Sequence, residues 1–213
     1  MLALFPPISS ENFLWRKPLI GSIFISICIF GSLATLLPTQ CSKLLKNKKR
    51  NNNSKPDPLF LHSNSFVMKG HHPSCENFAF HTFSIKSKVF CAACSGLFVG
   101  GLVTMIGSFF YFLVNWIAVE NGILFVIFGT FGVGFGLVQH WFKSLIRLSL
   151  NFVFVLGSFF ILIGIDEIIH SLIIDLFVIS LILFWLFTRI SLSHWDHERI
   201  CSNCRVVNCE FIK

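Results

Sequence analysis

CAACSGLFVGGLVTMIGSFFYFLVNWIAV, running from Cys91 to Val119, is the stretch that decides how this chain folds. It carries no charge, and a helix needs only about 20 mostly apolar residues to cross a hydrocarbon core about 30 Å thick. There is room for a tilted span, and the span opens on two cysteines. Outward from it the pattern recurs. Pro18 to Ser42 is uncharged between Lys17 and Lys43 and offers a span over 19–37, ending before Pro38. Glu120-Asn121-Gly122 reads as a polar turn, after which 123–142 carries the chain back. A final pair, 148–165 and 171–188, flanks Asp166-Glu167-Ile168-Ile169-His170. The expected fold is all-α: a polytopic membrane helical bundle of about five transmembrane helices, with a small cytoplasmic Cys/His-rich metal-binding region. The five spans are 19–37, 91–119, 123–142, 148–165 and 171–188. Around them lie an N-terminal segment 1–18, a basic linker 38–69, a Cys/His motif region 70–94 and a tail 189–213.

Composition excludes the ordinary soluble class. Charged residues make up 13% of the chain, about half the roughly 25% of a soluble domain, and 54% of residues are hydrophobic. Too few charges remain to solvate a globule, so the solvent is mostly lipid.

Orientation follows from Lys and Arg, which cytoplasmic loops retain. With five spans, 15 of the 17 basic residues fall on one side, in the segment from Lys43 to Lys88, the loop holding Lys143 and Arg147, and the tail. Only Arg16 and Lys17 lie opposite, and the two remaining loops hold Glu120, Asp166 and Glu167 with no base. The expectation is a multi-pass protein of the cell (cytoplasmic) membrane, N-terminus outside and C-terminus cytoplasmic. The net charge of +7 does not point to a specific nucleic acid: Lys46, Lys48, Lys49 and Arg50 directly follow a span, where bases retain topology and attract anionic headgroups. The first span shows no small-x-small cleavage site and is expected to be retained.

Cysteine and histidine collect on that same side. His71, His72, Cys75, His81, Cys91 and Cys94 lie before and at the start of the second span; His194, His197, Cys201, Cys204 and Cys209 lie in the tail. Structural disulfides belong to oxidising compartments, so thiols facing the cytosol point to metal or redox chemistry. Cys91-Ala92-Ala93-Cys94 and Cys201-Ser202-Asn203-Cys204 are both Cys-x-x-Cys pairs, and a structural zinc takes four Cys/His ligands in a tetrahedron. A shared site would be a clasp between the tail and the second helix, since closing a long loop costs little more than closing a short one. Cys91, Cys94, Cys201 and Cys204 are the first-choice zinc ligands, followed by His71, His72, Cys75, His81 and Cys209, then His194 and His197. An iron or iron-sulfur centre uses the same donors and ranks below zinc.

Two enzyme readings compete. Cys91 and Cys94 at a helix N-terminus match the environment of a dithiol oxidoreductase, although quinone-linked membrane enzymes place such a pair on the oxidising face. A zinc hydrolase would leave one metal position open to water, with Glu76 as base. Covalent haem is disfavoured, because Ser95 and Arg205 stand where Cys-x-x-Cys-His needs histidine.

His71-His72-Pro73-Ser74-Cys75-Glu76-Asn77-Phe78, His81-Thr82-Phe83 and Cys91-Ala92-Ala93-Cys94-Ser95-Gly96-Leu97 together resemble an uncharacterised, largely archaeal family of prokaryotic multi-spanning membrane proteins with a His-His-Pro-x-Cys and Cys-Ala-x-Cys-x-Gly-Leu pattern. The resemblance covers about Gly70 to Gly101, and Ala93 stands where that family is expected to carry glycine. It implies that His71, His72, Cys75, His81, Cys91 and Cys94 act as one constellation, and it brings no substrate with it.

Gly96 and Gly100 in the second span, and Gly132 and Gly136 in the third, each repeat at four residues. Such faces let helix backbones approach closely, and the second and third spans are expected to pack together, within one chain or across a homo-oligomer. Asp166 and His170 are four apart, as are Glu167, Ser171 and Asp175. The expectation is a polar outer turn in which only Asp175 reaches appreciably into the membrane; the alternative is a small ion or solute transporter built on these groups. The functional expectation is an integral membrane protein, without assigned catalytic residues, whose cytoplasmic zinc-binding Cys/His cluster serves interaction or regulation.

Overall fold

The computed structural model describes residues 15–36, 81–85, 88–116, 121–142 and 144–202. Among these described residues, five α-helices carry the fold: α1 (Arg16–Leu36), α2 (Ala92–Ser108), α3 (Gly122–Leu137), α4 (Ser144–Ile169) and α5 (Leu172–Ser202). Four of them are long and apolar enough to cross a bilayer, α2 with the help of a π-helical turn that extends it to Leu113. The chain is a helical membrane bundle. The helix in the place of the expected third span, α3, has 16 residues, about 24 Å at 1.5 Å per residue, and falls short of the hydrocarbon thickness by itself.

The outward faces are apolar. Phe30, Val99, Ile106, Phe128, Phe131, Phe177, Phe184 and Phe187 are all exposed, which suits a lipid environment. Two hydroxyls inside the bundle bond back to their own helix: Thr104 donates to the Gly100 carbonyl at 2.9 Å and Ser158 to the Phe154 carbonyl at 3.0 Å.

The central element is α4. Its Phe154, Phe159, Ile161, Leu162 and Ile163 are buried with Ile20 and Phe24 of α1 and Val178, Ile179 and Ile182 of α5. Both glycine faces meet α4, and this corrects the expectation that the second and third spans pack on one another. A Cβ on Gly96 would stand 2.2 Å from the Leu148 carbonyl oxygen, and one on Gly100 3.2 Å from that of Phe152. From the other side, a Cβ on Gly132 would lie 3.0 Å from the Val153 oxygen. Gly129 and Gly157 exclude each other's Cβ reciprocally, at 2.6 and 2.7 Å from the facing carbonyls. Two glycines opposed at one crossing bring α3 and α4 to backbone contact, where dispersion and close packing hold helices together in lipid.

A two-stranded antiparallel hairpin precedes α2: β1 (Thr82–Ile85) and β2 (Lys88–Cys91), with Thr82 opposite Cys91 and Phe83 opposite Phe90. The Phe83 and Phe90 rings stack at 5.7 Å, an aromatic cross-strand pair of the kind that stabilises a short ladder. β2 runs into α2 without a linker, so Cys91 is both the last strand residue and the helix N-cap.

Three further differences from the sequence reading concern helix ends. The second helix stops at Leu113, because Asn115 adopts φ 56, a left-handed conformation that asparagine tolerates. The π turn itself buries Tyr111 and Phe112, at 1% and 2% exposure. Asp166 and Glu167 do not form a turn: α4 continues through them to Ile169 and ends where His170 takes φ 51 and its N–H bonds the Asp166 carbonyl at 3.1 Å. α5 continues through the expected tail as far as Ser202, since no proline or glycine interrupts 189–202.

Candidate functional site

Two polar clusters are buried in the bundle, one at each end. The first forms where α2 begins. Cys91 caps α2 and Cys94 lies in its first turn, both half-buried. Ser95 donates back to the Cys91 carbonyl at 2.9 Å. The hairpin register places His81 one residue before the partner of Cys91, which returns it to the end of the bundle where the cysteines sit.

His81, however, engages α4 and α5. Arg147 Nη1 contacts its ring, and its Nε2 lies 4.0 Å from Asp196 Oδ2. Arg147 Nη2 donates to the same Asp196 oxygen at 3.0 Å. Behind this triad, Asn151 Nδ2 donates to the Arg147 carbonyl at 2.6 Å, and Arg189 Nη2 donates to Asn151 Oδ1. With its amide oxygen turned toward Arg189, Gln139 accepts from Nε at 3.1 Å and Nη2 at 3.3 Å. Arg147, Gln139, Asn151 and Arg189 are all buried. Arg189 stands within electrostatic range of Cys91, Cys94 and Arg147. A cavity of about 10 Å³ between Ala93, Gln139, Arg147, Leu192 and Ser193 has room for about one water molecule. Among the described side chains of this cluster, two guanidiniums are packed with one carboxylate, Asp196, a balance suited to thiolates or another anion.

Of the residues expected to bind metal, Cys91, Cys94 and His81 share this end. Cys201 lies in the last turn of α5, five residues beyond Asp196. His71, His72, Cys75, Cys204 and Cys209 lie outside the described residues, as do Glu76 and the basic run Lys46, Lys48, Lys49 and Arg50. His194 and His197 are on α5, with His194 exposed. Among the described residues, no three His, Cys, Asp or Glu side chains are grouped to hold a metal ion.

The second cluster closes the opposite end, and sequence reasoning undervalued it. Arg16 Nη1, in the first turn of α1, lies 2.5 Å from Asp166 Oδ1 of α4 as an ion pair and donates to Asp175 Oδ2 of α5. Asp166 is fully buried and Asp175 is 1% exposed, so both carboxyls lie inside the bundle rather than Asp175 alone. The cause is the extra turn of α4, which turns Asp166 inward. Tyr111 OH lies 2.8 Å from Asp166 Oδ2 and 3.3 Å from Glu167 Oε2. Lys17 Nζ sits over the Tyr111 ring at 4.7 Å and donates to Asn115 Oδ1 at 3.3 Å.

Arg16, Arg147 and Arg189 were legible only as topology charges, and Asn151 drew no attention. A signal was nonetheless present: an asparagine inside an uncharged window has to find a partner in lipid, and a basic residue at a span boundary is the nearest donor. No family model matches the chain, and no match is found among curated proteins or solved structures.

Proposed function

We propose that this chain is a multi-pass protein of the cytoplasmic membrane whose Cys/His region binds a structural zinc on the cytosolic side and presents an interaction or regulatory surface there. One observation carries the reading. Asp196 joins Arg147 at 3.0 Å and reaches His81 at 4.0 Å, so the helix bearing Cys201 is tied to the hairpin that ends at Cys91. Cys201 follows Asp196 by about 7.5 Å of helical rise, at the end of the bundle where the first Cys-x-x-Cys pair begins α2.

The donor set fits zinc. Thiolates favour it over hard cations, and a zinc held by four thiolates carries two net negative charges. The buried Arg147 and Arg189 offset charge of that sign, as buried ions require. Cys91, Cys94, Cys201 and Cys204 would hold the ion, with His71, His72, Cys75, His81 and Cys209 as further donors. The metal would supply a crosslink of roughly 10 kcal/mol or more between the motif region and the tail. The resemblance to the uncharacterised archaeal family rests on the motif residues alone and supports the same grouping.

Elemental analysis of detergent-purified protein under reducing, chelator-free conditions tests this. About one zinc per chain is expected, and less than about a tenth would sink the reading. The second reading, a membrane dithiol, is favoured by Cys91 at the N-cap and Cys94 in the first turn of α2, where the helix dipole stabilises a thiolate. Thiol trapping in cells separates the two: a substantial Cys91–Cys94 disulfide fraction supports redox chemistry, and full reduction supports the metal.

A further inference from the structure

Tyr111 stands between two acids, and its hydroxyl has one proton to donate. Asp166 Oδ2 is 2.8 Å away and Glu167 Oε2 is 3.3 Å away, with the Ile163 carbonyl oxygen at 3.5 Å. Ionised carboxylates only accept, so with both acids ionised one of the two close contacts joins acceptor to acceptor. A proton on either acid removes the conflict, because a protonated carboxyl donates to the phenol oxygen while the phenol donates to the other acid.

The rest of the cluster is short of donors in the same way. Asp166 and Asp175 converge on a single nitrogen, Arg16 Nη1, and among the described residues Asp166 Oδ1 and Asp175 Oδ1 are buried without a hydrogen-bond partner. The described ionisable groups here are Arg16 and Lys17 from α1, Tyr111 from the end of α2, Asp166 and Glu167 from α4 with His170 just beyond it, and Asp175 from α5; the start of α3, whose Gly122 packs against Gly164 and Ile168, brings none. Among the described residues, three carboxyls face two permanently charged cations, Arg16 and Lys17. One of those, Lys17, is 3.8 Å from Asp166 with a side chain 30% exposed, too distant and too wet to neutralise a buried charge fully. His170 turns Nδ1 to the Asp166 carbonyl oxygen at 2.5 Å, so that nitrogen is not shared with the carboxyls. Two carboxylates that share one counter-ion in a dry interior resist ionising together, and the proton then belongs to the group rather than to one acid.

We infer that Asp166, Glu167 and Asp175 form a proton-binding site, holding one proton at neutral pH and exchanging it with water through Glu167 and the Tyr111 hydroxyl. Glu167 is partly exposed. A proton taken from water by Glu167 passes to the Tyr111 oxygen as that hydroxyl gives its own proton to Asp166. The sum is one proton moved from water to a buried carboxylate, with no other bond changed. The site lies at the far end of α2 from Cys91 and is independent of the metal reading.

Infrared spectroscopy of the full chain in lipid nanodiscs reads this directly, because the C=O stretch of a protonated carboxyl is resolved from that of a carboxylate. At about pH 7, where unperturbed Asp and Glu are ionised, the wild type is expected to show a protonated-carboxyl band. That band is expected to lose amplitude in at least one of Asp166→Asn, Glu167→Gln and Asp175→Asn. In Tyr111→Phe it should persist, with severalfold slower exchange after transfer to D2O. A wild type with no such band overturns the site without reference to any variant, as does an undiminished band in all three acid variants. Unchanged exchange in Tyr111→Phe overturns the route.

Discussion

Arg16 and Asp175, 159 residues apart in the chain, are bonded to each other in the bundle interior, and the same Arg16 nitrogen holds Asp166 at 2.5 Å. One guanidinium thus joins the starts of α1 and α5 to the end of α4. Burying charge in this way gains little stability overall, because desolvation opposes the attraction, yet removing one partner strands the others in a dry interior.

Arg16→Met is therefore expected to destabilise the bundle by about 3 kcal/mol, and Asp175→Asn by clearly less, since an amide occupies the same space without a stranded charge. Thermal unfolding in a mild detergent checks both. Equal melting temperatures for Arg16→Met and wild type would show that the cluster bears no structural load.

The glycines supply a sharper contrast. A Cβ on Gly157 would approach the Gly129 carbonyl oxygen to 2.7 Å, whereas one on Gly134 meets nothing within 4 Å. Overpacking a tight contact costs about 1–3 kcal/mol, so Gly157→Ala should lower the unfolding temperature and Gly134→Ala should leave it unchanged. Two equal effects would mean that helix propensity, rather than the α3–α4 contact, governs these sites.

How much of this was legible in the sequence depends on what each feature requires. Uncharged length alone marks α1, α2, α4 and α5, because lipid demands helices whose backbone is satisfied internally. The glycine repeats announced close packing but not its partner: Gly96 and Gly132 carry the same signal, and only the assembled bundle shows that both turn to α4. Asp166 was misjudged because a run of two acids reads as a turn until the buried Arg16, far away in sequence, is seen to receive one of them. The hairpin Thr82–Cys91 went unnoticed because its strands have four residues each, too few for an alternation to emerge beside neighbouring histidines and lysines.

At the other end, Asn151 is fully buried and accepts from Arg189. Asn151→Leu leaves that guanidinium short of an acceptor, and a loss of about 1.5–3 kcal/mol is expected, the range for a hydrogen bond to a charged group. In the double variant Asn151→Leu with Arg189→Met the losses should fall well short of additive. Strict additivity in unfolding measurements would show that the two side chains do not depend on each other.

The clasp between the two Cys-x-x-Cys pairs separates from a local metal site by comparing single variants. If one zinc is shared, Cys94→Ala and Cys201→Ala should each abolish most of the bound metal, because a structural site with three remaining ligands loses its closed tetrahedron. If the ion is held by Cys91, Cys94 and donors from residues 71–81, Cys94→Ala should release it while Cys201→Ala leaves the zinc content near that of wild type. Helix α5 decides which outcome is physically easier. It is helical through Ser202 and tied at Asp196 to Arg147, so a shared site is completed by the motif region reaching toward Cys201. Shortening α5 by deleting one turn between Asp196 and Cys201 should then impair zinc retention as severely as Cys201→Ala, and normal retention in that deletion would rule the clasp out.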